Sequence, residues 1–212
     1  MIISFSGLDG TGKSTHVHQT ACFLRERGKK TLGVAIYSLS LYSVMGQLLN
    51  RAARGLSQKL VQDQFEVTKK SRQKKILSVV RCASLLPDVV LFFCLVVFPA
   101  RLTGRVVICD RYFFDALIQL RYLKMCSPLF FQWALTLIPV PDIPIILMAE
   151  PFIAYRRKPE YPTDYYVTKH GYYKAVAAQI RSCHVVESRG IDQTQAAINR
   201  LLMIHGGAWL DR

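Results

Sequence analysis

The 212-residue chain predicts an α/β fold: a parallel sheet of five strands with helices on both faces. Three observations carry this expectation. Short apolar runs alternate with helical stretches along the whole length. Several of those runs are continuous rather than alternating, as in strands buried on both faces. The first run ends in a glycine-rich stretch that opens directly into a helix.

The elements follow in order. Residues 2–6 (IISFS) read as a buried strand. Residues 13–27 place Val17, Ala21 and Leu24 on one helical face, with Gly28 as the stop. Residues 31–37 (TLGVAIY) read as a second strand, and 43–86 as mostly helical, with a break near Gly55-Leu56-Ser57. Residues 105–110 (RVVICD) form a third strand, followed by a helix over 115–125. A fourth strand covers 143–148, a helix 165–182, a fifth strand 184–187 and a closing helix 192–204. No repeat, low-complexity linker or break in composition divides the chain. With about 150 residues per domain, residues 1–212 read as one domain. A chain of this length buries about 70% of its unfolded surface, enough to fold without disulfides or metal.

Apolar residues make up 51% of the chain and charged residues 20%, which excludes intrinsic disorder. Lys and Arg number 28 against 14 Asp and Glu, a formal charge of +14. That balance excludes a protein built to bind cations and favours anionic partners. Cys22, Cys82, Cys94, Cys109, Cys126 and Cys183 include no C-x-x-C pair and no zinc-site spacing with histidine. They read as small core residues of a reducing compartment. The first residues have neither a basic stretch nor a cleavage site, so a cytoplasmic protein is expected.

Residues 89–98 are ten consecutive apolar residues, against the about 20 that a spanning helix needs. Two readings stay open. One is a buried helix or apolar hairpin. The other is a helix that dips into a membrane surface, with neighbouring Lys and Arg meeting the headgroups.

The strongest local signal is Gly7-Leu8-Asp9-Gly10-Thr11-Gly12-Lys13-Ser14-Thr15. It matches G-x-x-x-x-G-K-[ST] in the strand-to-helix context that the pattern requires. Glycines let backbone N–H groups turn inward around phosphate oxygens. The helix starting near Lys13 adds its positive end. Lys13 would reach the β- and γ-phosphates of a nucleoside triphosphate, and the Ser14 hydroxyl would ligate Mg²⁺. No N-K-x-D guanine reader is present, so a small-molecule kinase leads over a GTPase. Asp110-Arg111-Tyr112 closes the third strand. Asp110 sits where a carboxylate would support Mg²⁺ through water, and Arg111 could hold the acceptor's phosphate by paired hydrogen bonds.

The loop F-S-G-L-D-G-T-G-K-S-T followed by D-R-Y resembles thymidylate kinase and its P-loop nucleoside monophosphate kinase relatives, whose usual pattern is E-G-x-D-G-x-G-K-[ST]-T with D-R-[YFH] about a hundred residues on. The likeness spans most of the chain. It implies a five-stranded P-loop NTPase sheet in three layers, ATP as phosphoryl donor with Mg²⁺, a mobile lid over about 153–165, and often a homodimer. It implies that Asp9 contacts the acceptor sugar and that Arg81 reads the acceptor base. Asp110 and Arg111 match the Mg²⁺-linked acid and the phosphate-binding arginine. Where some relatives carry an arginine in the loop, this chain has Gly10. A catalytic arginine is therefore expected from the basic lid, as Arg156 or Arg157.

The acceptor side departs from that pattern. Ser38-Leu39-Ser40-Leu41 replaces an E-P-G turn, and Phe113-Phe114-Asp115-Ala116 follows D-R-Y in place of Ser and Ala-Tyr-Gln. Selectivity rests on such contacts, so dTMP is the family default and another small anionic acceptor is the alternative. A third reading is a membrane-surface nucleotide-binding module without nucleotide kinase activity.

Other features read more plainly. The basic run Lys69-Lys70-Ser71-Arg72-Gln73-Lys74-Lys75 is a solvated helix face, or a guide for anionic substrate or acidic lipid. No nucleic-acid reader motif accompanies it. His16 and His18 cannot share a helical face as a metal pair. Tyr165, Tyr166, Tyr172 and Tyr173 read as packing rather than base stacking.

Overall fold

The computed structural model describes residues 1–36 and 71–210, without the side chains of 71–77 and 207–210. Expectations for Tyr37, Ser38 to Leu41, the helical stretch 43–70 with its break, and Lys69-Lys70 fall outside the described residues.

The sheet has five parallel strands in the order β2-β3-β1-β4-β5. They are β1 (Ile2–Gly7), β2 (Thr31–Ala35), β3 (Val106–Asp110), β4 (Ile143–Met148) and β5 (His184–Glu187). The helices are α1 (Lys13–Glu26), α2 (Ser71–Phe92), α3 (Phe98–Leu102), α4 (Phe113–Tyr122), α5 (Pro128–Leu137), α6 (Pro151–Arg157), α7 (Thr163–Gln179) and α8 (Ile191–Leu210). A π-helical turn, Phe93–Val97, joins α2 to α3.

β1 and β4 are buried at every position, and β3 at all but Asp110. Their side chains alternate between two cores. Ile3, Phe5, Val106, Ile108, Ile145 and Leu147 pack with Ala21, Leu24, Ile198 and Leu202 of α1 and α8. Ile2, Val107, Cys109, Ile146 and Met148 face the other way, onto α2, α4, α5 and α7. This is the three-layer arrangement that continuous apolar strands demand. All six cysteines are free; Cys109 and Cys126 are buried, whereas Cys94 is exposed and so is no core residue.

Chain order reverses across β1: β2 and β3 lie to one side, β4 and β5 to the other. In open parallel sheets such a reversal leaves a crevice at the carboxyl ends of the strands. Phe5 pairs with Asp110 in register, which sets the Gly7 loop and Asp110-Arg111 side by side at that crevice.

Residues 89–98 form neither a fully buried helix nor a hairpin. Val89, Phe92 and Val97 are buried in the core, while Val90, Cys94, Leu95 and Phe98 are exposed.

Candidate active site

The site is built first by the loop between β1 and α1. Gly7, Gly10 and Gly12 have φ values of 141°, 86° and 82°, a region that side-chain-bearing residues rarely adopt. Two of them are also pressed by neighbours. A Cβ on Gly7 would collide with Leu147 O, and one on Gly10 would meet Ala154 O at 2.5 Å. Helix α6 therefore sits directly on the loop. An arginine at position 10 has no room in this arrangement, which is a physical reason for a cation to come from elsewhere.

Lys13 is buried and folds back over the loop, its Nζ donating to Gly7 O at 2.9 Å and Leu8 O at 2.6 Å. Burial, and then Arg111, draw its ammonium down to about 8, partly offset by Asp9, Asp115 and Asp110. Thr11 is also buried, donating its hydroxyl to Leu8 O at 2.8 Å. Gly12, Ser14 and Thr15 are exposed at the mouth, where the first amides of α1 point outward with the positive end of the helix.

Ser14 Oγ donates to Asp110 Oδ2 at 2.6 Å. The pair offers one hydroxyl and one carboxylate oxygen. That donor set fits Mg²⁺, which keeps several waters and borrows further ligands from phosphates. Among the described residues no cluster of three or more His, Cys, Asp or Glu exists that could hold a metal alone.

Asp9 is the centre of the buried charge. It pairs with Arg111, lies 3.9 Å from Lys13 Nζ, and accepts the Tyr165 hydroxyl at 2.7 Å. Burial alone would raise its carboxyl, but Arg111, Lys13 and the Tyr165 hydrogen bond hold it well below the ordinary range. Arg111 itself has φ 68°. A non-glycine residue held there costs about 1–3 kcal/mol and often marks a functional constraint. Its amide donates to Phe5 O at 2.9 Å, which holds it against β1.

Four further residues belong to this network, and the sequence reading missed their role. Lys169 is buried on α7 and donates to the Tyr165 hydroxyl at 2.9 Å; burial brings it down to about 8. Tyr161 stacks on Tyr165 at 4.2 Å between ring centres. Asp115, fully buried, accepts the Tyr173 hydroxyl at 2.6 Å and the Tyr112 amide at 2.9 Å. Tyr165 and Tyr173 are thus more than packing, whereas Tyr166 and Tyr172 do pack in the core. A signal did exist. Tyr165, Lys169 and Tyr173 recur at i, i+4 and i+8, and a lysine inside a buried stripe is the anomaly.

The remaining candidates lie further out. Arg157 donates to Ser188 Oγ at 2.8 Å and Arg189 O at 3.0 Å, and Ser188 Oγ donates in turn to Thr11 O at 3.1 Å. It ties α6 to the turn after β5 and, through Ser188, to the loop. Arg156 is exposed. The span expected as a lid, 153–165, is the end of α6, a short connector and the start of α7. Arg81 Nη1 donates to Met125 Sδ at 3.7 Å. His16 is a satisfied core histidine, its Nδ1 2.9 Å from Gln195 Oε1.

No protein-family profile matches the chain, and no curated protein does. Solved structures match. One is the thymidylate kinase from Ehrlichia chaffeensis, with a TM-score of 0.57 and 20% identity, covering 95% of this chain and 98% of that one. The chain therefore has the P-loop nucleoside monophosphate kinase-like fold.

Proposed function

We propose that this chain is an ATP- and Mg²⁺-dependent phosphotransferase, moving the γ-phosphoryl group onto a nucleoside monophosphate. dTMP is the first acceptor to test, because the matched structure is a thymidylate kinase. The single observation that carries the reading is the glycine loop with Lys13 folded into it and Ser14 bonded to Asp110.

The loop amides and the start of α1 would cradle the donor phosphates. Lys13 would leave Gly7 O and Leu8 O for the β- and γ-oxygens, exchanging neutral carbonyls for charged partners. Mg²⁺, held through Ser14 and supported by Asp110, would neutralise phosphate charge when bound. An acceptor phosphate oxygen attacks the γ-phosphorus, the bond to the β-phosphate oxygen breaks, and ADP leaves. A phosphate nucleophile is already ionised at neutral pH, so the site's work is positioning and charge neutralisation. Arg111, oriented by Asp9, would hold the acceptor phosphate. Arg156, exposed at the end of α6, would supply lid charge; Arg157, bonded to the turn after β5, would need to be released to do so.

One observation favours the second reading, a different small anionic acceptor. Tyr161, Tyr165 and Lys169 gather beside Asp9, the residue that in this reading would meet the acceptor sugar. The test is ADP release with ATP and Mg²⁺ across dTMP, the other nucleoside monophosphates, nucleosides and phosphorylated sugars. Stimulation by dTMP supports the first reading; stimulation by another acceptor with dTMP inert selects the second. Lys13→Ala is expected to abolish transfer, and full activity in that variant would refute the loop assignment.

A further inference from the structure

Helix α7 carries a lysine where its packing calls for an apolar residue. Tyr165, Lys169 and Tyr173 line one buried side of the helix, and Lys169 is only 2% exposed. Lys174, by contrast, stands in solvent. An ammonium in such a place weakens the fold, since leucine or methionine would fill the space without losing hydration. A buried charge kept against that penalty marks a residue with work at a site.

Its neighbours say what the work is. Asp9 is 6% exposed, and its two oxygens serve different sides. Oδ1 faces the phosphate-binding cations: it pairs with Arg111 and lies 3.9 Å from Lys13 Nζ. Oδ2 accepts the Tyr165 hydroxyl at 2.7 Å, and that hydroxyl accepts from Lys169 Nζ at 2.9 Å. Lys169 is thus joined to Asp9 through a single hydroxyl. Buried hydrogen bonds with a charge at each end of the chain reinforce one another.

Catalysis would undo the other half of this arrangement. In the phosphotransferase reading Lys13 turns to the donor phosphates and Arg111 to the acceptor phosphate. Both cations on Oδ1 are then shared with anions, and those anions repel Asp9 as well. A buried carboxylate so placed takes up a proton near neutral pH, because desolvation and like charge both raise it. A protonated Asp9 no longer orients Arg111. The Tyr165–Lys169 pair on Oδ2 opposes that. Burial draws Lys169 down to about 8, while Asp9 and Asp115 lift it and Arg111 lowers it. Drawing Arg111 toward a phosphate therefore firms the charge on Lys169 when Asp9 needs it. The groups facing Asp9 are Lys13 of α1, Arg111 after β3, and Tyr165 and Lys169 of α7, with Tyr161 and Tyr166 beside them. Asp115 faces both lysines and Asp110 faces Lys13; α6 meets the loop through the Ala154 carbonyl.

We infer that Lys169, acting through the Tyr165 hydroxyl, is a positioning residue that keeps Asp9 ionised and in place beside Arg111 while the phosphates are bound. The inference rests on the phosphotransferase reading.

The test is the pH dependence of kcat/KM for the acceptor between about pH 5 and 8, at saturating ATP and Mg²⁺. The probe is dTMP, or the acceptor of the panel that stimulates ADP release if dTMP is inert. Lys169→Met and Tyr165→Phe should each move the acid limb up by about one pH unit or more, with KM for ATP unchanged. Their combination should move it no further, because both cut the same chain. The acceptor's own phosphate titrates alike in every variant and cancels in the comparison. Tyr165→Phe removes a single oxygen, so it carries the test should Lys169→Met fail to fold. The inference is overturned if the acid limb stays where it is, if activity falls equally at every pH, or if the two shifts add. A native chain that transfers to no acceptor overturns the phosphotransferase reading and this inference with it. A native chain that transfers while the limb stays unmoved overturns the inference alone.

Discussion

At Gly10 two independent constraints meet. Its φ of 86° disfavours any side chain, and a Cβ there would lie 2.5 Å from the Ala154 carbonyl. The left-handed conformation alone costs a non-glycine residue about 1–2 kcal/mol, and the backbone contact leaves no flexible atom to yield. Gly10→Ala is therefore expected to lower the melting temperature by at least about 2–8 °C, using about 2–4 °C per kcal/mol for a chain of this size. It should also push α6 off the loop and weaken ATP binding. Gly28→Ala is the control: it shares a positive φ, of 74°, but a Cβ there meets nothing within 4 Å. Equal losses in the two variants, by thermal melts and ATP titration, would show that the contact with α6 is immaterial. At this scale the loop was legible because its residues are contiguous and each glycine has a job in the pattern. Lys169 and Asp115 were not. Their partners lie across the fold, Asp115 bonding Tyr173 58 residues on, and no local spacing announces such a meeting.

Helix α4 shows how an element can brace the loop site from behind. Asp115 accepts the Tyr112 amide while donating its own amide to Tyr112 O at 2.9 Å, which fixes the first turn after Arg111. Its other oxygen takes the Tyr173 hydroxyl, clamping α4 to α7. Removing a carboxylate that satisfies several buried donors costs about 1–3 kcal/mol for each donor left unpaired. Asp115→Ala should thus destabilise the chain more than Tyr173→Phe, which loses one hydrogen bond worth about 1 kcal/mol. If both variants melted alike, the clamp to α7 would account for the whole effect and the Tyr112 cap for none. Among elements, continuous apolar runs made β1, β3 and β4 readable to within a residue or two. Helix α5 went unread because PLFFQWALTL has only Gln132 and Thr136 as polar residues, too few to mark a solvent face. The run 89–98 left two readings open for a related reason, and the fully buried one fails: composition reports how apolar a helix is, not which side meets the core.

Across the whole molecule, the site carries two buried lysines near pH 8 in a chain of formal charge +14. Lys13 has an ordinary value of 10.5 and stands at about 8 in the fold. Between those values the unfolded chain binds more protons than the folded one, so stability of the nucleotide-free protein rises with pH through that window. Tyr165 acts oppositely, since burial, and then Asp9, raise its hydroxyl above the usual 10; its stabilising share is lost as pH passes above 10. Bound phosphates favour the charged ammonium and would lift Lys13 again. Below pH 8 ATP then meets Lys13 already charged and exchanges no proton with it. Above pH 8 binding must draw a proton from solvent, and affinity should fall by up to about tenfold per pH unit. The stabilisation that ATP and Mg²⁺ confer in a thermal melt should accordingly be largest near pH 7 and shrink by pH 9.5, even as the nucleotide-free protein itself grows more stable. Calorimetry at pH 9 in two buffers of different ionisation heat should register proton uptake. Lys169→Met should leave that uptake in place, because Lys169 bonds to Tyr165 rather than to the loop, and Lys13→Met should remove it. A stabilisation that stays constant from pH 7 to 9.5, with no uptake, would mean that Lys13 does not meet the phosphates, whatever the loop's sequence suggests.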